Sequence, residues 1–207
     1  MRLLLIRHGQ TPGNVLGQLD TAHPGPELTE LGRRQAQALT TTLEQERLDA
    51  LYASTLVRTQ LTARPLARAR TLDVDIRPGL HEIEAGSLEL RSDRDSIRAY
   101  LETVFAWGDG DLSVAMPGGQ DGHAFFGRFD AEIASIAASG AQTAAAFSHG
   151  AAIRVWVARR ASNIRPAFAT ENALDNTGVV ALQGSPSTGW TLTEWAGRSV
   201  PEIPSDT

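Results

Sequence analysis

The chain has 207 residues, 42% of them hydrophobic and 21% charged, a composition that suits a soluble globular protein with a sizeable core and argues against disorder or a fibrous class. Its 19 basic and 24 acidic residues leave a formal charge of -5, so a general basic surface for nucleic acid or anionic lipid is not indicated and anion binding has to be local. Cysteine is absent, which excludes disulfides, thiolate nucleophiles and cysteine metal sites. All the basic residues are arginine, whose planar fork suits phosphate oxygens better than a point charge does. The apolar run at 3–6 is too short for a signal-peptide core or a membrane span, and no run of about 18 apolar residues follows. The expectation is a cytoplasmic protein with neither a membrane nor a nucleic-acid partner.

In chain order, residues 2–6 read as a buried strand, bounded by His8 and Gly9 rather than continued at helical period. A helix over 29–46 follows, with Ala36, Leu39 and Leu43 on one stripe and Thr29 as its cap. Residues 48–53 predict a second strand, 56–69 a helix that Pro65 bends or interrupts, and 72–76 a further strand. Between 89 and 122 the pattern weakens. A helix over 92–105 gives way to a Gly- and Asp-rich stretch at 107–111 and a turn at 117–119, together read as an insertion over one end of the sheet.

Helical order returns with the stripe Phe125, Phe129, Ile133, Ile136 and Ala137, which reads as core. Strand 143–147, helix 151–160 and strands 178–182 and 190–195 complete the pattern, with a frayed tail after Ser199. Alternating strands and helices imply a three-layer α/β/α sandwich with a largely parallel sheet, its ligand beyond the carboxyl ends of the strands. No internal repeat is present, so one domain spans 1–207 with its insertion at about 89–122. His8 and His149 both fall just after predicted strands.

The strongest motif is Leu5-Ile6-Arg7-His8-Gly9-Gln10-Thr11, continued by Asn14: a cation, an imidazole and a glycine at a strand-to-loop transition. It resembles the Arg-His-Gly signature of the histidine phosphatase superfamily, which includes phosphoglycerate mutase-like enzymes. Three further segments resemble the family's motifs in the same order. They are 54–63, implying a phosphate-binding Arg58; 80–86, implying an acid at Glu82; and Ser148-His149-Gly150. Glu82 is preferred to Glu84 and Glu89 because its offset to Gly86 matches the family pattern. The segment Gly118-Gly119-Gln120-Asp121 departs from the family's Gly-Gly-Glu-Ser, a change that bears on substrate identity more than on the chemistry.

The residue types fit a common task. A neutral imidazole is a nucleophile without prior loss of a hydroxyl proton, and Arg7 and Arg58 disfavour its charged form. The same two arginines can bind the nonbridging oxygens, His149 can add a donor if protonated, and N–H groups near Ala151 at a helix start can add more. Thr11 and Asn14 are candidate phosphate or substrate contacts, although a turn role suits Asn14 nearly as well; Asn176 reads as a turn residue. His23, His81 and His123 match no metal-ligand spacing, and Pro117-Gly118-Gly119 lacks the context of a nucleotide loop. The resemblance therefore implies a metal- and cofactor-independent phosphomonoesterase with His8 as nucleophile, a small phosphorylated metabolite as substrate and inorganic phosphate as product. A mutase and a non-catalytic phospholigand-binding module are the alternatives, and specificity is expected in segments 19–26 and 89–122.

Overall fold

The computed structural model describes residues 1–200; the expected frayed tail lies, from residue 201 on, outside the described residues. The elements are β1 (Arg2–Arg7), α1 (Pro12–Leu16), α2 (Glu30–Thr42), β2 (Ala50–Ala53), α3 (Val57–Arg70), β3 (Val74–Ile76) and α4 (Arg94–Asp109). They continue as α5 (Gly122–Ala138), β4 (Thr143–Ser148), α6 (Gly150–Arg160), α7 (Phe168–Glu171), β5 (Val179–Ser185), β6 (Gly189–Trp195) and β7 (Arg198–Ser199). Single 3-10 turns stand at Pro78–Leu80 and Gly86–Leu88.

The strands form one sheet in the order β3-β2-β4-β1-β5-β6-β7. β1, β2, β3 and β4 run parallel, and the antiparallel pairings beyond β1 set β5 and β7 against the other five. The period of two along β1 divides its side chains between two cores. Leu3 and Leu5 join Phe125, Phe129, Ile153 and Trp156 of α5 and α6, whereas Leu4 and Ile6 join Leu39 of α2 and Ala63 and Leu66 of α3. Burial on both faces is why this strand reads as an unbroken apolar run, and the helices on either side make the expected three layers. The chain leaves β1 towards α2 on one face and leaves β4 towards α6 on the other. The carboxyl ends of these neighbouring strands thus flank a topological switch point, where α/β sheets place their ligands.

Segment 89–122 differs from its predicted form. Helix α4 continues past residue 105 to Asp109, and its Tyr100, Val104 and Trp107 belong to the larger core, so the segment is anchored in that core while Tyr100 and Leu101 reach the wall of a cavity at the site. Trp107 decides this: it is fully buried, stacks on Phe125 with ring centroids 5.9 Å apart, and donates from Nε1 to the Val114 carbonyl at 2.7 Å. A buried aromatic with a satisfied N–H outweighs the weak local helix preference of Gly108 and Asp109. Helix α3 likewise runs unbroken through Pro65, held by buried Ala63, Leu66 and Ala67. The short elements α1, α7 and β7 and both 3-10 turns have no periodic signature in the sequence. No helix among the described residues is long and apolar enough to cross a membrane.

Replacing Trp107 by alanine is expected to cost about 3–5 kcal/mol in equilibrium unfolding, the range for deleting a buried aromatic. A loss below about 1 kcal/mol would show that α4 is not part of the cooperative core.

Candidate active site

β1 and β4 pair in parallel register with Arg7 opposite Ser148, and the ladder extends one step as the His8 N–H donates to the Ser148 carbonyl at 3.1 Å. This sets the His8 and His149 rings side by side, their centroids 5.3 Å apart. The chain then turns across the first turn of α2. A Cβ on Gly9 would lie 2.7 Å from the Gly32 carbonyl oxygen, and one on Gly32 would lie 2.2 Å from that of Gln10, so two glycines allow the His8 loop to rest on the helix backbone. The Gly9 N–H is held by Thr62 Oγ1 of α3 at 2.9 Å.

The tautomer of His8 follows from its partner. Nδ1 lies 2.8 Å from the Gly9 carbonyl oxygen, which can only accept, so Nδ1 carries the proton and the neutral ring keeps its lone pair on Nε2. Burial first, and then the charges of Arg58 and Arg7, hold the His8 pKa well below the ordinary imidazole value, against a smaller opposing effect of the Gly9 hydrogen bond. His149 is shifted strongly in the same direction, by burial and then by Arg58. Its Nε2 bonds Ser54 Oγ at 2.7 Å while its buried Nδ1 has no protein partner. A protonated His149 is therefore disfavoured. If the Ser54 hydroxyl donates to Nε2, the neutral ring still presents an N–H at Nδ1, so donation does not need the charge that the sequence reading supposed.

Arg58 is buried and Arg7 half-buried, and both have donors to spare. Arg58 is 3% exposed; its Nη2 donates to the Asp20 carbonyl at 3.0 Å, whereas Nε and Nη1 have no hydrogen-bond partner and Nη1 lies 3.9 Å from the Asp20 carboxylate. Arg7 donates from Nη1 to the Leu174 carbonyl at 2.6 Å and leaves Nε without a partner. Unmade hydrogen bonds on buried cations are costly, and native proteins tolerate them mainly where a ligand completes them.

Glu82, 8% exposed, takes its place at the start of α6. Its Oε1 accepts from the Ile83 and Ala152 N–H groups at 2.9 Å each, and Oε2 from Ala151 N–H at 3.3 Å. Ala151 lines the cavity as expected of a contact residue, but its N–H is shared with the Glu82 carboxylate, which sits at the positive end of the helix. Glu84 is exposed, and Glu89 is engaged with the N–H groups of Thr21 and Ala22. Of the three acids, Glu82 alone lines the cavity.

That cavity, about 190 Å3, is walled by Arg7, His8, Arg58, Glu82, Thr11 and Asn14 among others, whereas His149, its ring 5.3 Å from that of His8, is not on the wall. Thr11 and Asn14 also cap α1 reciprocally: the Asn14 N–H donates to Thr11 Oγ1 at 3.3 Å and Asn14 Oδ1 accepts from the Thr11 N–H at 3.1 Å. Asn176 does more than form a turn, since its Nδ2 donates to both the His8 carbonyl and Asn14 Oδ1 at 3.0 Å. Gln18, Asp20, Tyr100 and Arg154 also line the cavity. Sequence reading missed them as individual residues; Asp20 and Tyr100 lie within the segments expected to set specificity, and the periodicity of α6 marks Arg154 only as a helical position.

Among the described residues that line the cavity, none comes from 118–121. The Pro117 carbonyl accepts from Ser87 N–H at 2.8 Å, and Asp121 caps α5 by accepting from Ala124 N–H at 2.9 Å. Aspartate and serine are both good N-caps, so the departure at Asp121 preserves the local task. Among the described residues no group of three or more His, Asp or Glu is placed to hold a metal ion.

A family model for the histidine phosphatase superfamily (branch 1) matches residues 3–197, and the chain belongs to that superfamily. It is 39% identical over 94% of its length to the PE-PGRS family protein PE_PGRS11 of Mycobacterium tuberculosis, of which it spans 36%. It is also 39% identical, over 66% of both chains, to the adenosylcobalamin/alpha-ribazole phosphatase of Escherichia coli. Among solved structures, a mycobacterial glucosyl-3-phosphoglycerate phosphatase complexed with VO3 superposes with a TM-score of 0.80 at 26% identity, covering 95% of this chain and 99% of that one.

The depressed pKa values predict that His8 and His149 stay neutral as pH falls through 6.5, the ordinary imidazole midpoint. Ring 15N chemical shifts followed from pH 8 to 5 test this; a midpoint near 6.5 for either ring would contradict the site's electrostatics.

Proposed function

We propose that the protein is a cytoplasmic phosphomonoesterase that acts on a small phosphorylated metabolite through phosphohistidine at His8, without a metal or cofactor. The observation that carries this reading is the neutral His8 ring at the cavity wall, its Nδ1 proton held by Gly9 and its Nε2 lone pair left for phosphorus, between two arginines, Arg58 buried and Arg7 half-buried, with unused donors. Arg7 and Arg58 bind the nonbridging oxygens and stabilise their charge during transfer, with His149 as a further donor.

In the first step Nε2 forms a bond to phosphorus as the ester P–O bond breaks. Glu82, in its protonated form, gives its proton to the departing alkoxide. The Gly9 carbonyl then faces the N–H of a phosphorylated, positively charged ring and stabilises it. In the second step water attacks phosphorus, its proton passes to the Glu82 carboxylate, and the N–P bond breaks to release inorganic phosphate. Thr11 and the Asn14 amide help to orient the bound group from the wall beside His8.

Hydrolysis is favoured over mutase action by the short α1, which contributes Asn14 to the wall but leaves Val15 and Leu16 each 63% exposed. A mutase has to shield its phosphoenzyme from water, and this helix offers no folded-over cover. A purely binding role is disfavoured because the nucleophile and the acid share one cavity wall with the phosphate donors.

His8→Ala is expected to abolish both turnover and acid-labile labelling of the enzyme while leaving the circular dichroism spectrum unchanged, and wild-type turnover should persist in chelator. Near-normal turnover by purified His8→Ala would overturn the assignment. Glu82→Gln should slow alkyl phosphates by about 100-fold or more but spare 4-nitrophenyl phosphate, whose leaving group needs no proton. Equal losses on the two substrates would remove Glu82 from the acid role.

A further inference from the structure

Helix α5 contributes no side chain to the cavity wall, yet it holds the segment that carries Glu82. Arg128 projects from α5 and donates from Nη1 to the Gly79 and His81 carbonyls at 2.9 and 2.7 Å, and from Nη2 to the Glu82 carbonyl itself at 2.7 Å. One turn further along, Glu132 accepts the Gly79 N–H at 3.0 Å, so residues four apart on one helix face grip both kinds of backbone group in the same strap. The guanidinium lies over the Phe125 ring, 5.2 Å from its centroid, which restrains its plane. Gly79 makes the close approach feasible, because a Cβ there would lie 2.7 Å from Glu132 Cβ and 2.9 Å from the Arg128 carbonyl oxygen.

Secondary-structure pairing does little for this strap. Residues 81–85 belong to neither helix nor strand; besides Arg128, Tyr100 ties the Ile83 carbonyl, Ser148 that of Leu80, the His81 ring that of Glu82 and the Leu88 N–H that of Ala85. Among the described residues Arg128 forms no ion pair and instead binds three neutral carbonyls, so its charge is spent on backbone geometry. A side chain of Glu82's length that turns by one rotamer moves its oxygens by more than a proton transfer tolerates.

We infer that Arg128 is a positioning residue for phosphoryl transfer, fixing the backbone of Glu82 so that its carboxyl group meets the leaving oxygen. This rests on the reading of Glu82 as the acid. The mechanism makes a specific demand: loss of Arg128 must impair proton delivery to the leaving group while sparing the attack by His8.

The test uses the full chain and a series of phenyl phosphates from 4-nitrophenyl to 4-methoxyphenyl, assayed with wild type, Arg128→Gln, Arg128→Lys, Glu132→Gln and Glu82→Gln. Arg128→Gln should lose at least about 10-fold in kcat on the poorest leaving groups and less than about threefold on 4-nitrophenyl phosphate, a fraction of the range general-acid catalysis spans. KM should move less than twofold, Arg128→Lys should recover part of the loss, and Glu132→Gln should shift the series in the same direction by less. A loss uniform across the series, or none, would overturn the inference. Should Arg128→Gln fail to fold by circular dichroism, the Arg128→Lys and Glu132→Gln series decide by the same criterion. Glu82→Gln separates the two failures: a flat response there removes the acid assignment itself, whereas a steep response beside a flat Arg128 series removes only the positioning role.

Discussion

The parallel pairing of β1 with β4 is the constraint on which the site depends. Its register sets Arg7 against Ser148, and one further hydrogen bond, from the His8 N–H to the Ser148 carbonyl, brings together two histidines separated by most of the chain. Both strands are buried on their two faces, so a slip of one residue would exchange the side chains that meet each core. The hydrophobic packing of the sheet therefore fixes the position of the imidazoles to within a fraction of a residue repeat, and polar chemistry at the strand ends inherits that accuracy.

Around this pair the fold holds charge in an unbalanced state. Half-buried Arg7 and buried Arg58 both have lowered pKa values, with desolvation as the largest cause in each, and both keep nitrogens without hydrogen-bond partners among the described residues. The same burial and the same cations keep His8 and His149 neutral. An electrostatic arrangement of this kind is stable only because the rest of the core supplies the free energy, and a bound anion would relieve it. Charge thus accounts at once for the neutral His8 ring and for a cavity suited to an anion.

The start of α6 illustrates how one structural feature is assigned. A helix N-terminus is a ready anion site, but here Glu82 accepts from Ala151 and Ala152 and so occupies it with the protein's own carboxylate. On the proposed mechanism phosphate recognition falls to side chains instead, and the helix orients the Glu82 carboxylate. The strap that carries Glu82 is in turn held from α5, so the two helices on one side of the sheet together orient a group that neither of them bears.

The sequence by itself determined the three-layer class, the family and the strand that leads into His8, because apolar periodicity and short contiguous motifs are local properties of the chain, and through resemblance to that family's motifs it proposed the set Arg7, His8, Arg58, Glu82 and His149. It preferred Glu82 to Glu84 through the family offset to Gly86, and the structure sets Glu82 on the cavity wall and leaves Glu84 exposed. Tertiary structure decided what depends on contacts between distant residues: the continuation of α4 to Asp109, which follows from the burial of Trp107 against Phe125; the bond from the Ala151 N–H to Glu82; and the places of Asp20, Tyr100 and Arg154 on the cavity wall. It decided also the tautomer of His8, which no pattern encodes, since it follows from the distance between one ring nitrogen and one carbonyl oxygen. Hydrogen bonds and burial of this kind are set by the packing of whole elements, and a one-dimensional pattern carries the elements without their separations.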